Sequence, residues 1–196
     1  EAAFKKVALA FGGVDIIVNN AGIAISKSIE STSEEEWDLL QNIMVKGSFL
    51  TAKAGIEVLR KQGLGGDIVN IVSKNALVSG PNNLGYGTAK AAQAHMTRLM
   101  AAEFGKDGVR VNTVNPDAVI KGSNIWEGGW AAGRAKAYGI SVEELPAHYA
   151  KRTLLNAILE REDIAKAALA FVDGSFSKST GNIINVDGGV AAAFVR

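Results

Sequence analysis

The sequence predicts an α/β fold, in which a parallel β-sheet is flanked by helices. Short apolar runs alternate along the chain with long amphipathic or alanine-rich segments. Strands separated by long helices imply βαβ crossovers, and these connect parallel strands. The composition, 47% hydrophobic and 21% charged with 22 glycines, is typical of a globular domain with many tight turns. No repeat or linker divides the chain of 196 residues.

Apolar periodicity and capping residues predict the helices. Phe4, Val7 and Phe11 recur at intervals of three and four residues. Ser33 and Glu36 have the spacing of a capping box, which marks the start of the second helix. Later segments combine alanine with the same periodicity. We therefore predict helices over residues 1–11, 34–61, 84–105, 143–157 and 162–172.

Continuous apolar runs predict the strands, because strands of a parallel sheet are buried on both faces. A turn of small or polar residues follows each run, beginning at Asn19, Ser73 and Asn115 in the first three cases. We predict strands over residues 14–18, 67–73, 109–114 and 182–186. Residues 121–140 form a polar and aromatic excursion between the last two strands.

Charge and composition exclude several functions. A net charge of +1 without a basic run argues against nucleic acid or a membrane surface as a partner. No apolar run has the roughly 20 residues of a membrane span. Neither His95 nor His148 has a second ligand at metal-binding spacing, so we expect no metal. The chain has no initiator Met and no signal-peptide pattern, so we expect a cytoplasmic protein cut from a longer chain.

Tyr86 and Lys90 are the strongest candidates for catalysis. Their i,i+4 spacing places both side chains on one helix face. We expect the ammonium to lower the phenol pKa from about 10, because a neighbouring cation favours the phenolate. Ser73 ends a buried strand and could hold a substrate oxygen against Tyr86. The alternatives are a surface pair on an amphipathic helix and a serine that caps a turn.

Motifs along nearly the whole chain resemble the classical short-chain dehydrogenase/reductase family. They are Asn19-Asn20-Ala21-Gly22, Ser73, Tyr86-x-x-x-Lys90, Arg110-Val111-Asn112-x-Val114-x-Pro116 and Asp187-Gly188-Gly189, in that order. The resemblance implies a Rossmann-like sheet and an oxidoreductase that uses NAD or NADP. It assigns catalysis to Ser73, Tyr86 and Lys90. It assigns cofactor binding to Asn19, Ala21, Gly22, Tyr86, Lys90 and Pro116.

Four residues are candidates for the substrate side of this site: Asn75, Asp117, Ser123 and Trp126. Asp117 could bind a substrate hydroxyl or simply cap the segment that follows it, and both readings stay open. In the family, the excursion that holds Ser123 and Trp126 covers the substrate. Buried aromatic residues are also common in plain cores.

The chain departs from the family at three points. It has no Gly-x-Gly-x-x-Gly loop, so we expect the βαβαβ half that receives the pyrophosphate to be missing from it. Residues 1–196 are then the C-terminal part of one dehydrogenase domain, and the residue that selects NAD or NADP lies upstream. Met44 stands where the family has an asparagine, and Asp117 stands where it has a glycine.

The segment Asn115-Pro116-Asp117-Ala118-Val119-Ile120 narrows the resemblance. It is similar to the dehydrogenase domain of bifunctional rhamnulose-1-phosphate aldolase/alcohol dehydrogenases, which implies an upstream aldolase domain and a small hydroxyaldehyde such as lactaldehyde. The alternatives are a generic 3-oxoacyl or sugar-alcohol reductase, and a non-catalytic fragment or interaction module. The family also implies a homo-oligomer formed through the helices 34–61 and 84–105.

Overall fold

Four parallel strands form the sheet in the computed structural model, which describes residues 1–126 and 129–194. The strands run in chain order across the sheet, and each pairs in parallel with the next. This confirms the predicted parallel sheet. The strands are β1 (Ile16–Asn19), β2 (Gly66–Ile71), β3 (Val109–Pro116) and β4 (Ile183–Val186).

Helices cover both faces of the sheet. Successive side chains of β2 point to opposite faces of the sheet. Ile68 packs in a cluster with residues of α3 (Gly47–Gln62) and α4 (Leu84–Phe104), whereas Val69 packs with Phe171 of α7 (Arg161–Val172). Both strand residues are fully buried. The helices are α1 (Ala2–Phe11), α2 (Glu34–Leu40), α3 (Gly47–Gln62), α4 (Leu84–Phe104), α5 (Gly129–Tyr138), α6 (Leu145–Ala150) and α7 (Arg161–Val172).

The helix predicted over 34–61 is interrupted. A π-helical turn, Gln41–Lys46, separates α2 from α3, so the segment is not one regular helix. Gln93 of α4 donates from Nε2 to the Met44 carbonyl oxygen at 3.1 Å. Single π turns inside helices are rare and are frequent at functional sites. A tertiary contact of this kind leaves no periodicity in the sequence.

The helix predicted over 143–157 is much shorter in the structure, where α6 ends at Ala150. The backbone then leaves the helix because Leu154 and Leu155 donate their N–H groups to the carbonyl oxygens of Gly189 and Gly188, at 3.0 and 2.9 Å. The excursion over 121–140 contains α5. Its glycines obscured this helix in the sequence, because glycine has a low helix propensity.

A buried chain of hydrogen bonds links three strands to α4. Asn19 Nδ2 donates to Asn70 Oδ1 and Asn70 Nδ2 donates to Thr97 Oγ1, both at 2.8 Å. Thr97 Oγ1 in turn lies 2.7 Å from Thr113 Oγ1. Satisfied buried networks fix a unique packing. This network therefore sets the position of α4, and with it the position of the side chains near its N-terminus.

In the described ranges, no helix is long and apolar enough to cross a bilayer. Over the same ranges, no group of three or more His, Cys, Asp or Glu side chains is arranged to hold a metal ion.

The capping box at Ser33 gives a first testable prediction. Ser33 Oγ accepts from the Glu36 N–H and the Glu36 carboxylate accepts from the Ser33 N–H, at 3.2 and 3.1 Å. We expect Ser33→Ala to lower the free energy of unfolding by about 1 kcal/mol, because it removes the acceptor at the helix N-terminus. Urea denaturation measures this. Ser177→Ala, at an exposed serine, is the control and should change stability by less than about 0.5 kcal/mol.

Candidate active site

The candidate site lies at the carboxyl edge of the sheet, where the strands end in turns. β1 ends at Asn19 and is followed by residues 20–22. β2 is followed closely by Ser73, and β3 ends at Pro116, directly before Asp117. Ligands of open α/β sheets bind at this edge. The parallel register therefore brings together residues that are far apart in the sequence.

Ser73 and Tyr86 meet at this edge. Both are buried, at 7% and 8% exposure. Ser73 Oγ accepts from the Asn75 N–H at 3.2 Å. The Ser73 side chain also lies close enough to Tyr86, the third residue of α4, to lower the pKa of its phenol. The structure thus brings together the serine and tyrosine that the sequence singled out, and it gives Asn75 a backbone role in orienting the serine.

The pKa of Tyr86 is shifted in the direction opposite to our prediction. Burial raises this pKa above its ordinary value, the side chain of Ser73 opposes the shift, and the charge of Asp117 adds to it. Lys90 does not reverse the effect, because its Nζ lies 5.8 Å from the centre of the phenol ring. Tyr86 is therefore held as a neutral phenol that can donate a proton.

Lys90 lies one helical turn beyond Tyr86 and is 4% exposed. Its Nζ donates to the Ile71 carbonyl oxygen at 3.0 Å. Burial lowers the pKa of Lys90 to about 8, so the amine is mostly charged at neutral pH. An ammonium has three N–H donors. Ile71 takes one of them, so this side chain has the capacity to bind a ligand hydroxyl.

Gly22 allows a close approach to Lys90. A Cβ atom added at Gly22 would lie 3.7 Å from Lys90 Nζ and 3.9 Å from Met44 Sδ. The turn that contains Ala21 therefore passes close to the amine. Met44 is fully buried here, and a thioether is at most a weak hydrogen-bond acceptor. The side chain at this position therefore offers no amide group to a water molecule.

Asp117 forms a buried ion pair with Lys74, which sequence reasoning missed. Lys74 Nζ lies 3.3 Å from Asp117 Oδ1, and their side chains are 7% and 6% exposed. Burial raises the pKa of Asp117, whereas Lys74 and Arg152 lower it. The neighbouring backbone of Ala118 also lowers it slightly. The feature of the sequence that could have indicated this ion pair is Lys74, which directly follows the candidate serine, Ser73.

Ser123 and Trp126 lie outside the cluster of Ser73, Tyr86 and Lys90. The Ser123 carbonyl oxygen accepts from the Trp126 N–H at 3.0 Å, in a short turn before α5. The Trp126 ring packs edge-on against Tyr149, with ring centres 5.3 Å apart. Trp130 instead reaches the site, since its ring centre lies 6.2 Å from that of Tyr86.

A cavity of about 590 Å³ opens beside this tryptophan. It is bounded by the chain that follows β1, by Asn82, and by the segment around α5. Ligand pockets for small molecules commonly have volumes of roughly 300–1,000 Å³. The described residues that line it are Gly22, Ile23, Ala24, Ile25, Ser26, Lys27, Asn82, Asn124, Ile125, Gly129, Trp130, Gly133, Arg134 and Ala137.

Residues 1–191 match the family model described as Enoyl-(Acyl carrier protein) reductase. The chain therefore belongs to the short-chain dehydrogenase/reductase family of oxidoreductases. The dehydrogenases of this family use NAD or NADP. The chain is similar to the uncharacterized oxidoreductase YuxG of Bacillus subtilis (strain 168), at 46% identity over 196 residues. It covers 28% of YuxG. An uncharacterized oxidoreductase of Thermotoga maritima is 38% identical over 192 residues, which make up 98% of this chain and 73% of that protein.

The fold is also similar to solved structures of the family. The sorbitol-6-phosphate 2-dehydrogenase of Erwinia amylovora superposes with a TM-score of 0.91 at 25% identity. The match covers 96% of this chain and 73% of that one. The sheet predicted from the sequence is therefore the Rossmann-like sheet of this family.

Proposed function

We propose that this chain is the catalytic part of an NAD(P)-dependent oxidoreductase that acts on a small hydroxyaldehyde or alcohol, lactaldehyde-like in size. The observation that carries the proposal is the meeting of Ser73, Tyr86 and Lys90 at the carboxyl edge of the sheet. Family membership gives the reaction class. The cavity beside Tyr86 suits a small substrate.

In this proposal each residue has a distinct task. Tyr86 donates its proton to the carbonyl oxygen during reduction. During oxidation the phenol first releases its proton to solvent, and the resulting phenolate accepts the alcohol proton. Ser73 holds the same oxygen by a hydrogen bond. Lys90 supplies a positive charge beneath the phenol ring and keeps N–H donors for a ribose hydroxyl. Nicotinamide supplies or takes the hydride.

The chain's own residues fit such a cofactor, with Asn19, Ala21 and Gly22 on its adenosine-ribose side and Lys90 and Pro116 on its nicotinamide side. Gly22 leaves the space in front of Lys90 Nζ without a side chain. Asn19, at the end of β1, is buried and held by Asn70, so the turn that follows it starts from a fixed point. Ala21 and Pro116 complete the proposed binding surface.

We include two assemblies in the proposal. Phe49 and Leu50 of α3 and Leu99 of α4 are about half exposed, which supports a homo-oligomer formed through these helices. An upstream aldolase domain is supported by the chain's 28% coverage of YuxG, since such a relative has room for another domain.

A sugar-alcohol reductase is the alternative function, supported by the similarity to sorbitol-6-phosphate 2-dehydrogenase.

A cofactor-binding experiment tests the proposal. The sequence contains no glycine-rich phosphate loop, so we expect the 196-residue chain to bind NADH or NADPH at least about tenfold more weakly than an extended protein. The extended protein is the chain together with the residues encoded before it. NADH and NADPH fluorescence titrations measure both, and only the extended protein should turn over small alcohols.

Equally tight binding of NADH or NADPH by the 196-residue chain would contradict the prediction that this chain lacks the pyrophosphate site. Tight cofactor binding by the extended protein, without oxidation of any small alcohol or reduction of any small aldehyde, would contradict the proposed reaction. That second result would favour the alternative of a non-catalytic module.

A further inference from the structure

We propose that the substrate carries an anionic group, a phosphate or a carboxylate, and that Arg134 binds it in the cavity beside Tyr86. This inference rests on the proposed function and narrows its substrate class. It follows from the charges that line the cavity and from two N–H donors that have no acceptor among the described residues.

The lining is positively charged. Among its described residues there is no aspartate or glutamate, whereas Lys27 and Arg134 are both present. Lys27 is already compensated, since its Nζ lies 2.5 Å from Glu36 Oε1. Arg134 forms no ion pair with any residue of the ranges 1–126 and 129–194. Among the residues that the structure describes, Arg134 is therefore a cation without an ion pair beside the phenol.

Two N–H donors at this wall lack acceptors within the part of the chain that the structure describes. Arg134 Nε and Trp130 Nε1 are both shielded from solvent without a hydrogen-bond partner. The guanidinium carbon of Arg134 lies 4.9 Å from the centre of the Trp130 ring, so the two donors are neighbours. Buried donors in native proteins are almost always paired. A ligand with anionic oxygens would supply acceptors for both.

The neighbouring charges strengthen this assignment. Lys74 and Asp117 neutralise each other. Arg152 stacks on Tyr149 at 4.8 Å and has no ion pair with a residue of the described segments. Burial raises the pKa of Tyr149, whereas Arg134 and Arg152 both lower it. The positive charges of both arginines therefore act on this same tyrosine. Among the described residues that line the cavity the balance of charge is positive, which favours an anion.

Distance connects this wall to the chemistry. Trp130 contacts both groups, since its ring centre lies 4.9 Å from the Arg134 guanidinium carbon and 6.2 Å from the Tyr86 ring centre. A substrate that lies along Trp130 would therefore place one oxygen against Ser73 and Tyr86 and its anionic group against Arg134. Guanidinium groups bind phosphate and carboxylate through two parallel hydrogen bonds, which also fixes the substrate's orientation.

Three matched alcohols test the proposal on the extended protein: glycerol, glycerol 3-phosphate and glycerate, each oxidised with NAD⁺ or NADP⁺. We expect kcat/KM for one of the two anions to exceed that for glycerol by at least about tenfold. The more active anion identifies phosphate or carboxylate as the recognised group. The Arg134→Gln variant should lose this preference, with a much smaller fall in its activity on glycerol, whereas Arg134→Lys should retain part of the preference.

Lys136→Gln is the control, because Lys136 is an exposed cation on the same helix and outside the cavity. It should behave like the wild type. A preference for the anion that survives Arg134→Gln would overturn the proposal, and so would a loss in the same proportion on all three alcohols. The latter would show that Arg134 only supports the packing of Trp130.

A second measurement separates this proposal from the proposed function. Calorimetric titration with inorganic phosphate and with acetate needs no turnover. Binding that is lost in Arg134→Gln and kept in Lys136→Gln supports the anion site even if none of the alcohols is oxidised. Absence of binding by the wild type, or equal binding by the wild type and Arg134→Gln, contradicts the anion site even if glycerol is a substrate.

Discussion

Tyr86→Phe is expected to lower kcat/KM of the extended protein by about 10²- to 10⁴-fold, the range that one positioned general acid or base contributes. This corresponds to about 3–5 kcal/mol in the activation free energy. The reason is geometric. The phenol is buried beside Ser73, and the phenylalanine ring would preserve the packing while it removes the only proton that Tyr86 can transfer. Steady-state kinetics in both directions measure the effect.

The control for this variant is Tyr138→Phe, which removes a phenol that contacts the Tyr149 hydroxyl at 3.3 Å. We expect the control to change kcat/KM by less than about threefold, since a surface-side hydroxyl contributes little. NADH titration should show that Tyr86→Phe still binds cofactor. A Tyr86→Phe enzyme with wild-type kcat/KM would remove Tyr86 from its assigned role.

Asp117→Asn is expected to destabilise the fold by about 3–5 kcal/mol, because it leaves the Lys74 ammonium buried without its counter-charge. Both side chains are less than a tenth exposed, at 7% for Lys74 and 6% for Asp117. Water therefore cannot replace the lost carboxylate. Thermal and urea denaturation at neutral pH measure the loss.

The double variant Lys74→Met/Asp117→Leu removes both charges. It therefore distinguishes the net contribution of the ion pair to stability from the cost of leaving one charge buried alone. Burial raises the pKa of Asp117 even though Lys74 opposes the shift, which shows that desolvation of this carboxylate outweighs its pairing. Replacing both charges should therefore restore stability to within about 1 kcal/mol of the wild type. A double variant that is as unstable as Asp117→Asn would mean that shape, rather than charge, determines the effect.

Local patterns in the sequence predicted most of the fold. The capping box at Ser33 and the apolar runs of the strands carried the signal, and the helix predicted over 84–105 is α4, Leu84–Phe104. The predictions were wrong where tertiary hydrogen bonds overrule local preference. Gln93 helps to hold the π turn at Met44, and the carbonyl groups of Gly188 and Gly189 draw the chain out of α6.

The candidate site was only partly predictable for the same reason. A spacing of four residues places Tyr86 and Lys90 on one helix face, and that relation is local. The ion pair of Lys74 with Asp117 joins the ends of two strands, and the contact of Arg134 with Trp130 depends on a helix that the sequence obscured. The pKa of Tyr86 was mispredicted because burial cannot be read from spacing.

A crystal structure of the extended protein with NAD⁺ or NADP⁺ and a bound alcohol tests the central claim most directly. The account predicts that the alcohol oxygen lies within hydrogen-bonding distance, about 2.6–3.2 Å, of both Tyr86 Oη and Ser73 Oγ. Lys90 Nζ should then bond a hydroxyl of the nicotinamide ribose. An alcohol oxygen bound elsewhere, with Tyr86 and Ser73 in contact only with each other, would contradict the account.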